Sequence, residues 1–325
     1  MKNLESKIVE SVCLNPWYNL ALEEYYLREM GKEEIFLLLW RNKKTVVIGR
    51  NLNPGKECRC QLLEEENGRL ARRISGGGAV YQDKGCLNYA FLAGEKSFKL
   101  EFQLRIVLRA VQSLDIRARL SGHSGLTVGG KIGCFNFVYQ GQKNILHHGT
   151  ILVNCSLGNR ERYLAVPDRR DSTDNQVANL ARVKSGLATE QVRDKLVESF
   201  IEIYGGEAGI HRYDPREKAE LRSLYDRYSS REWRYGDNSA FDVTYSTRFD
   251  WGKVELGLTL KRGRIERVVI YSNTGEVDLI EKIAAVIEGA PFCLEAIVKR
   301  LDLLIGGSPD NQIVNDIKVW LKSKI

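Results

Sequence analysis

An α+β fold in two domains is what this 325-residue chain predicts, and three observations predict it. Short apolar runs of strand length alternate with amphipathic stretches of helical period over most of the chain. A long hairpin is written at Lys131–Tyr139 and Ile145–Asn154 around the turn Gly141-Gln142-Lys143-Asn144. After a charged stretch at 211–237, the pattern restarts as two strands followed by helices, the signature of a small antiparallel unit. The larger domain is expected over 1–236 and the smaller over 237–325.

In order, residues 18–29 place Tyr18, Ala21, Leu22 and Tyr25 on one helical face with acids on the other, and Asn15-Pro16 supplies the start signal. Ile35–Trp40 and Thr45–Gly49 read as two paired buried strands separated by Arg41-Asn42-Lys43-Lys44. Helices are expected at 57–66, at 102–114 through Leu104, Val107, Leu108 and Val111, and at 189–204 through Val192, Leu196, Phe200 and Ile203. In the smaller domain, strands at 254–260 and 264–271 precede helices at 277–288 and 294–304.

Composition narrows the function. With 43% hydrophobic and 28% charged residues the chain is an ordinary globular protein. The start, Met1 to Lys7, leads into no long apolar run, so neither a signal peptide nor a membrane span is expected and a cytoplasmic location follows. Seven cysteines without a CxxC pair and four histidines argue against a disulfide framework or a zinc site. The net charge of +7 has no dense basic tract with interleaved aromatics, so an acidic protein or an anionic small molecule is a better partner than nucleic acid.

The chemistry concentrates at Arg72-Arg73-Ile74-Ser75-Gly76-Gly77-Gly78-Ala79-Val80-Tyr81. Consecutive glycines lack the Cβ atoms that keep an anion away from backbone N–H groups, and the two guanidiniums offer forks of donors matched to phosphate or carboxylate. A tight connection between strands explains the glycines equally well.

This stretch, continued through Asn88 and Phe91, resembles the lipoate-protein ligase family, whose signature reads approximately RRxSGGGAVYHDxGNLNxSF. The resemblance extends to Pro16–Glu24, Thr45–Pro54, Lys131-Ile132 and His147–Thr150, covering about the first 180 residues. It implies a catalytic domain of the biotin/lipoate ligase type, a mixed sheet with helices akin to class II aminoacyl-tRNA synthetases, and a small accessory domain. It further implies that lipoate is activated with ATP and Mg2+ to lipoyl-adenylate. The acyl group then passes to a lysine of the lipoyl domains of 2-oxoacid dehydrogenase E2 subunits or of glycine-cleavage H protein.

By the same resemblance Lys131 is the catalytic lysine. Arg73, Gly76, Gly77, Gly78, Ala79, Val80, Tyr81 and Lys131 itself meet the nucleotide, and Arg72, Ser75, Asn88, His148 and Asn179 are substrate-binding candidates. Of His147 and His148, strand alternation should turn one ring inward. Leu39, Trp40, Val46, Tyr89 and Phe91 are candidates for an apolar slot. Departures from the family pattern are Gln82 for histidine, Cys86 for asparagine, Gly55 for tryptophan, and Ser124 and Gly129 where acids are usual. They keep two alternatives open: an ATP-independent lipoyl or octanoyl transferase working through a thiolate such as Cys134, and a non-catalytic lipoate- or adenylate-binding paralogue.

Overall fold

The computed structural model describes residues 4–121, 125–165, 176–205, 210–212, 218–236, 241–305 and 311–325. The departure at Ser124 lies outside these residues. The chain divides into two compact units, one comprising Met1–Ile48, Pro54–Ile74 and Ala79–Arg234, the other Gly49–Asn53, Ser75–Gly78 and Tyr235–Ile325.

In the first unit the strands are β1 (Glu5–Glu10), β2 (Glu34–Trp40), β3 (Thr45–Ile48), β4 (Arg69–Arg72), β5 (Val80–Gln82), β6 (Cys86–Gly94), β7 (Ala118–Ser121), β8 (Gly125–Val128), β9 (Lys131–Gln140), β10 (Asn144–Leu152) and β11 (Ile210–Arg212). The main sheet is mixed, in the order β11-β1-β2-β6-β10-β9-β8-β7, with β1 parallel to both its neighbours and the β6–β10–β9–β8–β7 run antiparallel. Both faces of this sheet are covered, which is why β2 reads as an unbroken apolar run from Ile35 to Trp40 and β6 is apolar but for Asn88. Along β2, Ile35, Leu37 and Leu39 pack with the helices Leu100–Gln112 and Thr189–Tyr204, while Phe36, Leu38 and Trp40 pack with the helix Pro16–Glu29. Full burial of side chains of this size stabilises by about 1.5–3 kcal/mol each.

Two expectations are corrected here. The runs at 35–40 and 45–48 do not pair: β2 bonds β1 and β6, whereas β3 leaves for a separate small sheet, parallel to β4 and antiparallel to β5. The connection is no tight hairpin turn, because Asn42 is buried and its side chain bonds Asn19 and Gln82. The charged stretch after 211 also contains the helix Ala219–Ser229, whose Leu221, Leu224 and Tyr228 join the core beside the helix Pro16–Glu29. The hairpin of β9 and β10 stands as read, from Ile145 opposite Gln140 to Ile151 opposite Cys134.

In the second unit β12 (Val243–Phe249), β13 (Gly252–Lys261) and β14 (Arg264–Ser272) form an antiparallel meander. Its core joins Val254, Leu256 and Leu258 to Ile283, Leu301 and Ile317 of the helices Val277–Ile287, Leu294–Ile305 and Gln312–Leu321. The first strand and the last helix were not anticipated.

Candidate functional site

The helix Pro16–Glu29 starts where expected: Pro16 occupies its first turn and the Asn15 side chain accepts the Trp17 N–H at 3.1 Å. Of its three acids only Glu29 faces solvent. Glu23 is fully buried and Glu24 nearly so. Glu24 is held by Arg28, Arg227 and the Tyr228 hydroxyl, the last at 2.6 Å. Glu23 instead reaches across to β10, where its Oε2 accepts from His148 Nδ1 at 2.8 Å. A carboxylate acceptor fixes the proton on Nδ1, which sets the ring's tautomer and orientation.

Both histidines of β10 are buried, because the sheet is covered on both faces. Alternation does separate them. His147 bonds Gln103 of the helix Leu100–Gln112 at 3.0 Å and stacks on Phe91, whereas His148 lies with Glu23 on the opposite face. Burial, with a smaller effect of His148, pulls the His147 pKa down to about 3 from 6.5, so the ring folds neutral. An unfolded chain protonates it below pH 6.5, so its contribution to stability is complete above that pH and is lost as pH falls toward 3. The expected slope approaches about 1.4 kcal/mol per pH unit. Urea midpoints measured between pH 7 and 5 should show this slope, and it should be missing in His147→Leu.

Arg73 lies between β4 and the glycine run, with its guanidinium 3.8 Å from the centre of the Phe137 ring and Nη1 3.3 Å from the Val47 carbonyl. Burial lowers its pKa to about 9, opposed by the Glu23 charge, so it stays a cation at neutral pH. Phe137 sits opposite His148 in the β9–β10 pairing and their rings meet edge to face. Arg73 and His148 therefore face one cleft, whose apolar wall is Leu20, Trp40, Val47 and Phe137.

A chain of buried polar groups forms the other wall. Asn19 Nδ2 donates to Asn42 Oδ1 at 2.9 Å, Asn42 Nδ2 to Gln82 Oε1 at 2.6 Å, Gln82 Nε2 to Thr150 Oγ1 at 2.8 Å, and Thr150 Oγ1 to Asn88 Oδ1 at 2.8 Å. Gln82 thus both accepts and donates at one terminal group, giving the departure from histidine a defined role. The chain ends on Asn88 Nδ2, a buried donor with no partner among the described residues.

The other candidates are placed as follows. Arg72 is buried and turned toward the helix Arg231–Tyr235, donating to the carbonyls of Trp233 and Arg234 at 2.8 and 3.0 Å. Asn179 clasps the backbone of Cys155, accepting its N–H at 3.0 Å and donating to its carbonyl at 2.7 Å. Val80 lines the cleft, while the Tyr81 ring is buried against Tyr163. Ala79 joins the glycine run to β5. Lys131 is exposed and opens β9 directly after the hairpin residues Gly129 and Gly130, whose φ values are +59° and +76°. A two-residue hairpin favours such angles, which glycine adopts at both positions without strain. Lys131 is six residues from Phe137 along β9, about 20 Å at strand rise.

The serine and the glycines belong to the second unit, and each glycine has its own reason there. Ser75 is buried and its carbonyl accepts from Arg50 N at 2.9 Å. A Cβ on Gly76 would lie 2.0 Å from the Thr274 carbonyl oxygen, and Gly77 has φ +88°. Around Gly78 a Cβ would meet nothing within 4 Å. Gly76→Ala is expected to cost about 1–3 kcal/mol through overpacking, and Gly78→Ala about 0.5 kcal/mol or less; thermal unfolding of the two variants checks the contrast.

Cys134 is buried on the opposite face, within hydrogen-bond reach of the Tyr89 hydroxyl at 3.5 Å, and burial pushes its pKa up to about 12. That is the environment of an inert thiol. The expected apolar slot is also corrected: Trp40 lines the cleft, but Leu39, Tyr89 and Phe91 belong to the core beneath. Among the described residues the group of three side chains able to share a metal ion is Asp83, Cys86 and Cys155. Two thiols and one carboxylate do not suit Mg2+, which takes oxygen ligands.

The lipoyl protein ligase A/B catalytic domain profile matches residues 15–201, more than half of the chain, and the bacterial lipoate protein ligase C-terminus profile matches 238–320. The chain belongs to the lipoate-protein ligase family. The lipoate-protein ligase fold extends over both units, since LipL1 of P. falciparum, solved in complex with lipoate, aligns with TM-score 0.86 and 24% identity over 97% of this chain and 99% of that one. The bipartite lipoate protein ligase of Thermoplasma acidophilum, solved in a study with its E2 lipoyl domain, aligns with TM-score 0.65 and 24% identity over 74% of this chain and 100% of that one. A lipoate-protein ligase A bound with ATP gives TM-score 0.64 and 23% identity over 72% and 99%. Glu23 was missed from the sequence because an amphipathic reading assigns acids to solvent; the signal was apolar residues on every side of it, Leu20, Leu22, Tyr25 and Leu27.

Proposed function

We propose that this lipoate-protein ligase family member joins lipoate to a lysine of an acceptor protein in two steps, both centred on the cleft of Arg73 and His148. In the first, a carboxylate oxygen of lipoate attacks the α-phosphorus of ATP, pyrophosphate leaves, and the mixed anhydride lipoyl-adenylate forms. In the second, the acceptor lysine amine attacks the acyl carbon and AMP departs with the bonding pair.

The observation that carries this reading is the buried cation Arg73 in a cleft with an apolar wall, a polar wall, and the spare donor of Asn88. A cation pre-oriented in a poorly solvated site stabilises a developing oxyanion without reorganisation. Asn88 Nδ2 would gain a partner from a substrate oxygen, and Trp40 with Leu20 would cover an aliphatic chain. Relatives solved with lipoate and with ATP support the same substrates here. By the family resemblance the glycine run meets the nucleotide, and a Cβ on Gly78 would meet nothing within 4 Å. No protein oxygen cluster holds Mg2+ among the described residues, so no step is assigned to it. Lipoyl domains or H protein are the acceptors, and the excess of basic residues favours their acidic faces. Among the described residues no helix is long and apolar enough to cross a membrane, and we place the reaction in the cytoplasm.

Lipoate-dependent exchange of labelled pyrophosphate into ATP tests the first step, and exchange is expected. Its absence, combined with acceptor modification from synthetic lipoyl-adenylate, would instead establish a transferase. Cys134→Ala is expected to keep at least about half of the transfer rate, since its thiol faces the core; a loss of transfer at unchanged stability would restore the thiolate route.

A further inference from the structure

Backbone contacts of two glycine-linked segments bring together three side chains that the sequence keeps apart. Gly85 approaches Asn154 so closely that a Cβ would lie 2.0 Å from the Asn154 carbonyl, and its own carbonyl accepts from Val153 N and Asn154 N at 3.1 and 2.8 Å. This crossing places Cys86, the first residue of β6, beside Cys155, which follows β10. Asp83 completes the group from the turn between β5 and β6. One ligand atom from each lies within 4.8 Å of the other two, and Cys86 Sγ is 3.9 Å from Asp83 Oδ1.

We propose that Asp83, Cys86 and Cys155 form a binding site for a thiophilic divalent cation of the zinc type, bracing the polar wall of the cleft. The donor set is soft, two thiolates and a carboxylate, which selects zinc or cadmium over magnesium or calcium. A Zn–S bond of about 2.3 Å requires neighbouring donor atoms about 3.7 Å apart, so closure needs shifts of about 1 Å or less. The donors are held in place before any ion arrives. Asp83 accepts from Gly85 N with Oδ1 and from Ser156 N with Oδ2, both at 2.9 Å, leaving further lone pairs on each oxygen. Cys155 is gripped on both its backbone groups by Asn179.

Charge also balances. Two thiolates, one carboxylate and a dication leave one negative charge, and Arg160 stands close enough to interact with Cys155. The fourth tetrahedral position would take water. Binding releases the two thiol protons to solvent and needs no oxidant. Gln82 precedes Asp83 and Asn88 lies two residues beyond Cys86, so an ion here would fix the turn that carries both. The odd cysteine count and the absence of a CxxC pair hid this group, because its two cysteines lie 69 residues apart along the chain.

The full chain, stripped with chelator under reducing conditions, is titrated with zinc against a chromophoric chelator, and with cadmium while thiolate-to-metal charge-transfer absorption is followed. One equivalent is expected to bind the native protein and Cys60→Ser alike, with at least about tenfold weaker binding in Asp83→Asn and Cys155→Ser. Zinc should also raise the melting temperature of the native protein, a readout that needs no variant to fold. No charge-transfer band in the native chain, equal affinity in the site variants, or loss of binding in Cys60→Ser would each overturn the assignment. So would an intact mass two hydrogens low that is traced to a Cys86–Cys155 disulfide in the absence of chemical oxidant.

Discussion

Lys131→Ala is expected to lower ATP-dependent acceptor lipoylation by about 10²–10³-fold, the usual loss when one donor to a developing oxyanion is removed, with no change in the urea midpoint; the role comes from the family resemblance and requires the start of β9, about 20 Å along the strand from Phe137, to close on the cleft when substrates bind. Two features make this separation sharp. Lys131 is exposed at the first position of β9, so its removal leaves no cavity. The turn before it is set by Gly129 and Gly130, whose positive φ values do not depend on the lysine. A lysine that only solvates the hairpin would give full activity. Lys131→Arg distinguishes further: it preserves charge but not the compact ammonium, and is expected to recover a minor part of the rate.

Glu23→Leu is the variant expected to damage the fold most. The carboxylate is fully buried, bonds His148 at 2.8 Å, and is the charge that opposes the burial of Arg73. Removing one partner from a buried group of charges typically costs about 3–5 kcal/mol, because the remaining charge loses compensation in a medium that solvates it poorly. Glu23→Gln keeps an acceptor for His148 while deleting the charge. Its cost should be smaller, and its effect on lipoate affinity larger than its effect on stability. Denaturant unfolding and equilibrium binding of lipoate, measured on both variants, check the prediction; equal stability of Glu23→Leu and the native chain would contradict it.

The sequence showed the shape of this molecule more fully than the logic of its site. The β9–β10 hairpin was legible because period-two alternation and a polar four-residue turn define it locally. Helix Pro16–Glu29 was legible through Asn15 and Pro16, which act within one turn of it. The pairing of β2 with β6 rather than β3 was not, since nothing local records that Asn42 turns inward to join Asn19 and Gln82. For the same reason Glu23 read as a surface acid: its partner is 125 residues away on β10.

The candidate site divides similarly. Arg73, Val80, Asn88 and His148 meet at one cleft, whereas Arg72 and Asn179 turn to backbone groups elsewhere. The triple glycine shows why a motif does not carry its physics with it. Gly76 is required by a carbonyl oxygen, Gly77 by its backbone angle, and Gly78 by neither, so three identical letters answer to three different constraints.

The most direct test is intact-mass analysis of a lipoyl domain or H protein after incubation with this chain, lipoate, magnesium and ATP, beside one reaction without ATP and one supplied with lipoyl-adenylate. A lipoyl mass increase on a single acceptor lysine is expected in the first and third reactions, none in the second, with its loss in Lys131→Ala. Acceptors left unmodified in all three reactions by a folded chain that binds lipoate would contradict it, and would identify the cleft around Arg73 as a binding site without catalysis.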